Sequence, residues 1–212
     1  MKKIDHSNLR AQPGKEDFKG KYESKNFISR SLVKNYYRAV KSLLDLTSDV
    51  ITAHEVGIGE GYSTQKLRPW IPSLSGSEFV PELIRNAKHN NPGVTIFQES
   101  VYDLKKGENS VDLVFFLEVL EHLDYPEIAL SEIKRISKRY LIIGVPNEPL
   151  WRILNICRFK YISNLGNTPG HLNHWSKSQI IELIQEHYGN VIAVKSPIPW
   201  TIILAEKTEI RN

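Results

Sequence analysis

His54-Glu55-Val56-Gly57-Ile58-Gly59-Glu60-Gly61-Tyr62 is the stretch that decides the fold. A candidate strand over 50–56 runs straight into glycines at 57, 59 and 61, and a candidate helix over 62–68 follows. Glycines between a parallel strand and a helix let the backbone approach a ligand closely. The helix start adds free N–H groups and a positive dipole end, which suit an anionic group. The spacing is G-x-G-x-G, with Tyr62 next, and not the G-x-G-x-x-G of a dinucleotide site. It therefore disfavours a nicotinamide or flavin dinucleotide and suits a smaller adenosyl ligand that carries a carboxylate.

The flanking sequence repeats the strand–helix unit. Further candidate strands cover 72–78, 94–98, 111–117, 140–145, 191–195 and 200–205, and further candidate helices 81–88, 126–137 and 177–188. Pro81 and Pro126 stand where a first helical turn tolerates proline. Ser176-x-x-Gln179 reads as a capping box. The alternation predicts an α/β fold, a doubly wound, mostly parallel sheet with helices on both faces. The last two strands are joined only by Ser196-Pro197-Ile198-Pro199, so they are expected to form an antiparallel hairpin at the sheet edge. Ahead of this body, 28–46 has helical periodicity, with Leu32, Tyr36, Val40, Leu43 and Leu44 near one face. Residues 1–27 read as a mobile polar arm.

The second strand ends in Gly76-Ser77-Glu78, about 20 residues beyond the glycine loop. A carboxylate there can accept hydrogen bonds from both ribose hydroxyls. The third leads into Glu99-Ser100-Val101-Tyr102-Asp103-Leu104, and Val111–Leu117 follows.

At 146–175 the pattern breaks for about 30 residues, a length that in a compact domain usually carries function. Within it, 150–162 mixes Trp151, Leu154, Ile156, Phe159 and Ile162 with Arg152, Arg158 and Lys160. The expectation is a lid over a bound acceptor, helped by the N-terminal arm, and an amphipathic basic helix of this kind also suits peripheral contact with a membrane.

Charge is uneven. Residues 1–49 carry 11 Lys and Arg against 6 Asp and Glu, whereas 50–212 carry 17 against 18. The chain therefore reads as a basic N-terminal arm and helix (1–49) before a neutral body (50–212). With a neutral body and no separate RNA-binding module, nucleic acid is not the expected partner. The only cysteine is Cys157, so no intramolecular disulfide can form, which fits a reducing, cytoplasmic location. The start carries no secretory pattern, and no apolar run approaches the ~18 residues of a membrane span.

Taken together, the glycine loop, Glu78, the 99–104 turn and the fourth strand resemble those of class I S-adenosylmethionine-dependent methyltransferases, most closely the branch that includes ubiquinone-biosynthesis O-methyltransferases (methyltransferase type 11). The likeness spans roughly 50–206. It implies a sheet in the order 3-2-1-4-5-7-6 with the last strand antiparallel. It implies that S-adenosylmethionine is bound and leaves as S-adenosylhomocysteine. Glu55 and Gly57, Gly59 and Gly61 match the loop that holds the methionine part, and Glu78, with Phe79 beside it, the ribose acid. Ser100 and Val101 fall at the adenine position, where the family often has aspartate in place of Ser100. Leu117 and Glu118 fall near the sulfonium.

A second group bears on chemistry: Glu118-Val119-Leu120-Glu121-His122 and Gly170-His171-Leu172-Asn173-His174. Methyl transfer is an in-line displacement, and a hydroxyl acceptor benefits from a base or a metal. The candidate catalytic residues are His122, Glu118, His171 and His174. Glu118, Glu121, His122 and His171 offer oxygen and nitrogen ligands for a divalent ion. Their string resembles that of small-RNA 2′-O-methyltransferases and of metal-assisted quinone O-methyltransferases. The alternative is a metal-free string whose histidine caps a helix or orders the loop. His54, inside a strand, reads as a hydrogen-bonded packing residue. The expected activity is methylation of a small-molecule acceptor, with a hydroxyl oxygen the first choice of atom. The other readings are an RNA 2′-O-methyltransferase and a non-catalytic adenosyl-ligand-binding partner protein.

Overall fold

A computed structural model describes residue 4 and residues 9–11 and 27–208. The arm expected over 1–27 otherwise lies outside the described residues. In chain order the elements are helix α1 (Phe27–Leu44), β1 (Thr52–Val56), α2 (Tyr62–Leu67), β2 (Ser73–Glu78), α3 (Pro81–Asn90), β3 (Thr95–Gln98), β4 (Val111–Leu117), α4 (Pro126–Ile136), β5 (Ser137–Pro146), α5 (Leu150–Cys157), α6 (Lys177–His187), β6 (Gly189–Lys195) and β7 (Trp200–Lys207). Short 3-10 turns lie at Arg68–Trp70, Leu120–His122 and Ile162–Asn164.

The sheet has seven strands in the order β3-β2-β1-β4-β5-β7-β6. Strands β1 to β5 pair in parallel, and β7 runs antiparallel to both β5 and β6. The expected class, strand order and edge hairpin are all present. Chain order reverses between β1 and β4, so the crevice beyond their carboxyl ends is where a ligand binds in such a sheet.

Strand alternation splits the core in two. Along β4, Leu113, Phe115 and Leu117 pack with Tyr36, Val40 and Leu43 of α1, whereas Val114 and Phe116 pack with Leu130 and Ile133 of α4 and Ile180 of α6. Phe115 and Phe116 are both fully buried, on opposite faces; each contributes about 1.5–3 kcal/mol by leaving water. Helix α4 begins on Pro126 and α6 on a Ser176–Gln179 capping box, both as expected.

Most boundaries differ from expectation by one to three residues, and two of the shifts have a visible cause. Helix α1 stops at Leu44, because its end tightens into Leu46 N–H to Leu43 O and Thr47 N–H to Leu44 O bonds. Strand β5 starts at Ser137, ahead of its apolar run, since a register shift in β4 between Val111 and Leu113 lets Ser137 pair with Val111. The polar residues there find partners: Lys138 meets Asp112 and Arg139 meets Glu206.

Candidate functional site

The glycine loop leaves β1 in a conformation that side chains rarely adopt. Gly57, Gly59 and Gly61 have φ of 73°, 55° and 81°. A Cβ on Gly57 would lie 2.5 Å from Val119 Cγ2, and one on Gly61 2.2 Å from Asn91 Nδ2. The turn is tied to β2 by Gly57 and Ile58 N–H groups, both donating to Ser77 O at 2.9 and 3.0 Å. Asn91 Nδ2 donates to Gly61 O at 2.9 Å and fixes the far side.

Two carboxylates flank this loop. Glu78 ends β2; one of its oxygens accepts from Gly59 N–H at 2.9 Å, the other from Phe79 and Val80 N–H at 2.8 and 3.0 Å. Glu55, in β1, is buried and accepts from Thr64 Oγ1 at 2.6 Å. Burial pushes its carboxyl up to about 7, against hydrogen bonds from Ser63 and Thr64 that favour the charged form.

The remaining predicted cofactor residues fall on the same sheet edge. Glu99 N–H donates to Glu78 O at 3.1 Å, which draws the end of β3 against that of β2. Ser100 pairs with Asp103 across the next turn, Val101 lies inside it, and Phe79 is half exposed. Leu117 ends β4, and Glu118 follows in the left-handed region at φ 58°, its N–H donating to Gly144 O at 2.8 Å. His54 sits deeper, its ring nitrogens 2.9 and 3.1 Å from Ser75 and Ser77 Oγ. Burial, with Lys106 nearby, lowers its pKa to about 3, so the ring is neutral.

The second group is assembled from two distant segments. Leu172 and Asn173 N–H donate to Glu121 O at 2.8 and 3.0 Å, and Asn173 Nδ2 donates to Leu123 O at 2.6 Å. This pinning brings His171 against His122, with ring centroids 4.9 Å apart and planes at 85°. His122 Nδ1 lies 3.0 Å from Gly170 O. A carbonyl only accepts, so in the neutral ring the proton is on Nδ1 and Nε2 is the lone-pair nitrogen.

One ligand atom each from Glu121, His122 and His171 falls within 4.8 Å of the others. Two imidazoles and one carboxylate suit a divalent transition ion. Glu118 is not in that group. Neither is His174, whose exposed ring bonds Asn167 Oδ1 at 2.7 Å instead.

Aromatic residues flank this group, and sequence periodicity did not single them out as a set. The Trp151 ring lies 5.9 Å from His171 and 5.8 Å from Trp200, and Trp200 lies 5.0 Å from Tyr36. Trp151 Nε1 donates to Thr168 Oγ1 at 2.9 Å, so α5 is fastened to the end of its own connection. Tyr36 reaches the sheet at Gly144, which has no side chain to obstruct it.

Comparison with known proteins agrees with this geometry. Residues 54–142 match the family model described as a methyltransferase domain. No curated protein matches the chain in sequence. Among solved structures, a Haloferax volcanii chain in complex with the Trm112 methyltransferase activator superposes at TM-score 0.68 and 16% identity, over 86% of this chain and 93% of that one. Magnesium protoporphyrin IX methyltransferase of Synechocystis, with S-adenosylhomocysteine bound, gives 0.63 and 16%, over 86% and 88%. An N-methyltransferase of Bradyrhizobium japonicum gives 0.64 and 15%, over 85% and 98%. At such identities the superpositions speak for the fold, and the family match speaks for the segment that holds the glycine loop, Glu78 and β4. Residues 54–142 thus match a methyltransferase domain, and the chain has the fold of solved S-adenosylmethionine-dependent methyltransferases, one of them with S-adenosylhomocysteine bound.

Proposed function

We propose that this methyltransferase acts on a hydroxyl oxygen of a small-molecule acceptor, with His122 as the group that takes the acceptor's proton. The observation that carries this reading is the His122 Nδ1 to Gly170 O contact at 3.0 Å. It fixes the tautomer whose Nε2 can receive a proton, and a hydroxyl, unlike a neutral amine, needs that help to become a good nucleophile. His171 packs edge to face against the His122 ring and would help orient it, and Trp151 in turn packs against His171.

The cofactor supplies an activated methyl on a sulfonium. Glu55 and the 57–61 backbone would hold its amino-acid end, Glu78 its ribose, and Phe79 with Ser100 and Val101 its adenine. Leu117 and Glu118 would line the approach to the methyl. Helix α5 and the 165–175 connection would cover the acceptor and keep water out, which alignment of the reacting groups requires.

A panel assay tests this. Purified protein and S-adenosylmethionine are offered matched phenols and amines, and S-adenosylhomocysteine release is measured. Turnover of phenols with little turnover of amines supports the reading; preference for amines overturns the acceptor atom and leaves the cofactor assignment intact.

A second reading rests on the Glu121, His122 and His171 group. A divalent ion held by those three would polarise the acceptor oxygen in place of a protein base. Titration of the metal-free protein with Mn²⁺ or Zn²⁺ decides: saturable binding lost in His171→Ala supports it, and no binding removes it.

A further inference from the structure

Residues 156–165 are ten consecutive exposed positions, and they include the large hydrophobics Ile156, Phe159 (85% exposed), Ile162 (54%) and Leu165 (69%). Ile153, one turn earlier in α5, is half exposed as well. A water-soluble surface rarely gathers so much apolar area in one place without using it.

The loop is built to present these side chains. Phe159, Tyr161 and Leu165 all have φ between 50° and 56°, a conformation unfavourable for bulky residues. Hydrogen bonds hold it there: Lys160 N–H to Asn155 O and Gly166 N–H to Tyr161 O at 2.8 Å, Asn155 Nδ2 to Gly166 O at 2.9 Å, and Arg152 Nε to Leu165 O at 3.0 Å. Gly166 cannot be replaced, since a Cβ there would lie 2.3 Å from Arg152 O. Trp151 faces inward to His171 and Trp200, so the outward apolar side chains belong to a second surface of the same lid.

Charge selects the occupant. No Asp or Glu occurs anywhere in 149–181, whereas Arg152, Arg158, Lys160 and Lys177 do. A second copy docking by two-fold symmetry would set this cationic face on itself with no acid in the segment to pair. We infer that 150–165 is a peripheral docking surface for an anionic lipid bilayer. The apolar side chains enter the headgroup boundary while the basic residues meet anionic headgroups. No described helix is long and apolar enough to cross a membrane, so the contact lies on the surface.

The test is co-sedimentation of the full chain with phosphatidylcholine vesicles, with and without phosphatidylglycerol. Binding is expected only with phosphatidylglycerol, and weaker at high salt. Phe159→Ser/Leu165→Ser should abolish it, and Arg158→Gln should weaken partition roughly fivefold. All three positions are exposed and outside the cofactor cradle, and unchanged S-adenosylhomocysteine binding verifies that the variants are folded. No sedimentation with either vesicle, equal sedimentation with both, or binding that survives Phe159→Ser/Leu165→Ser would each overturn the proposal. A solution dimer that Phe159→Ser/Leu165→Ser converts to monomer would assign the face to a second copy. Retention on an immobilised acidic peptide, without vesicle binding, would assign it to an acidic protein; either result also overturns it.

Discussion

His122 and His171 meet edge to face, ring centroids 4.9 Å apart, although 48 residues separate His122 from the Gly170 carbonyl that orients it. Removing one ring therefore tests both chemistry and positioning. His122→Ala should lower kcat with a hydroxyl acceptor by ~10²- to 10⁴-fold, the usual contribution of a general base. Affinity for S-adenosylhomocysteine should not change. His171→Phe keeps the edge packing and should lower kcat far less. Equal losses in both variants would point to the metal reading instead.

Glu55 gives a pH signature. Its folded pKa, about 7, lies above the ordinary 4.5, because burial favours the neutral acid. The folded state therefore holds a proton that the unfolded state loses, and stability falls as pH rises from about 4.5 to about 7. Glu55→Gln should match wild type near the low end of that window and exceed it at alkaline pH by about 1–3 kcal/mol. Thermal melts across pH check this; parallel curves would remove the assignment. If Glu55 faces the cofactor's ammonium, binding should also release a proton near neutral pH, seen as a calorimetric heat that varies with the buffer's ionisation enthalpy and vanishes in Glu55→Gln.

The core of the fold could be read from local chemistry. Val111–Leu117 alternates between two cores, and the glycine loop can only join a strand to a helix. The 3-10 turn at Leu120–His122 could not be read so: its own i to i−3 bonds are short-range, but the bonds from Leu172 and Asn173 that pin it come from a segment no local pattern links to it. For the same reason the sequence could name Glu118 beside Glu121, His122 and His171 as metal ligands and His174 beside His171 as catalytic, whereas the fold groups only Glu121, His122 and His171 and turns His174 to Asn167. The wall of Tyr36, Trp151 and Trp200 joins three elements far apart in sequence, so it emerges only in three dimensions.

Gly57 tests the loop itself. Its φ of 73° and the 2.5 Å separation between Val119 Cγ2 and the position of an added methyl leave two obstacles to alanine. Gly57→Ala should destabilise by more than ~1 kcal/mol, since the native conformation is incompatible with the new residue. Gly57→Ala/Val119→Ala removes the collision and leaves the φ cost. Partial recovery of melting temperature in the double variant is expected, measured against Val119→Ala alone. Full recovery would mean that φ contributes little, and none would mean that Val119 already moves aside.

Asp124 anchors Arg10 and Ala11 two residues beyond His122. One of its oxygens accepts from Arg10 N–H and Nε at 3.0 and 3.1 Å, and the other from Ala11 N–H at 2.9 Å. Desolvation raises its pKa, but the bonds from Ala11 and Arg10 outweigh that and leave it below the ordinary value. For a carboxyl whose folded pKa is depressed, the stabilisation is present above the unfolded value and is lost as pH falls through the folded one. The anchor should therefore release in acid. Ile4 and Leu9 pack on the core cluster that includes Leu120 and Leu123, the residues that flank Glu121 and His122 in sequence. Asp124→Asn should speed tryptic cleavage after Arg10 by about tenfold, in line with loss of charge-assisted bonds. It should raise KM for the acceptor more than it lowers kcat, because the anchor stands two residues beyond His122 without being a reacting group. A fall in kcat alone would instead mean that Asp124 acts on the His122 turn itself.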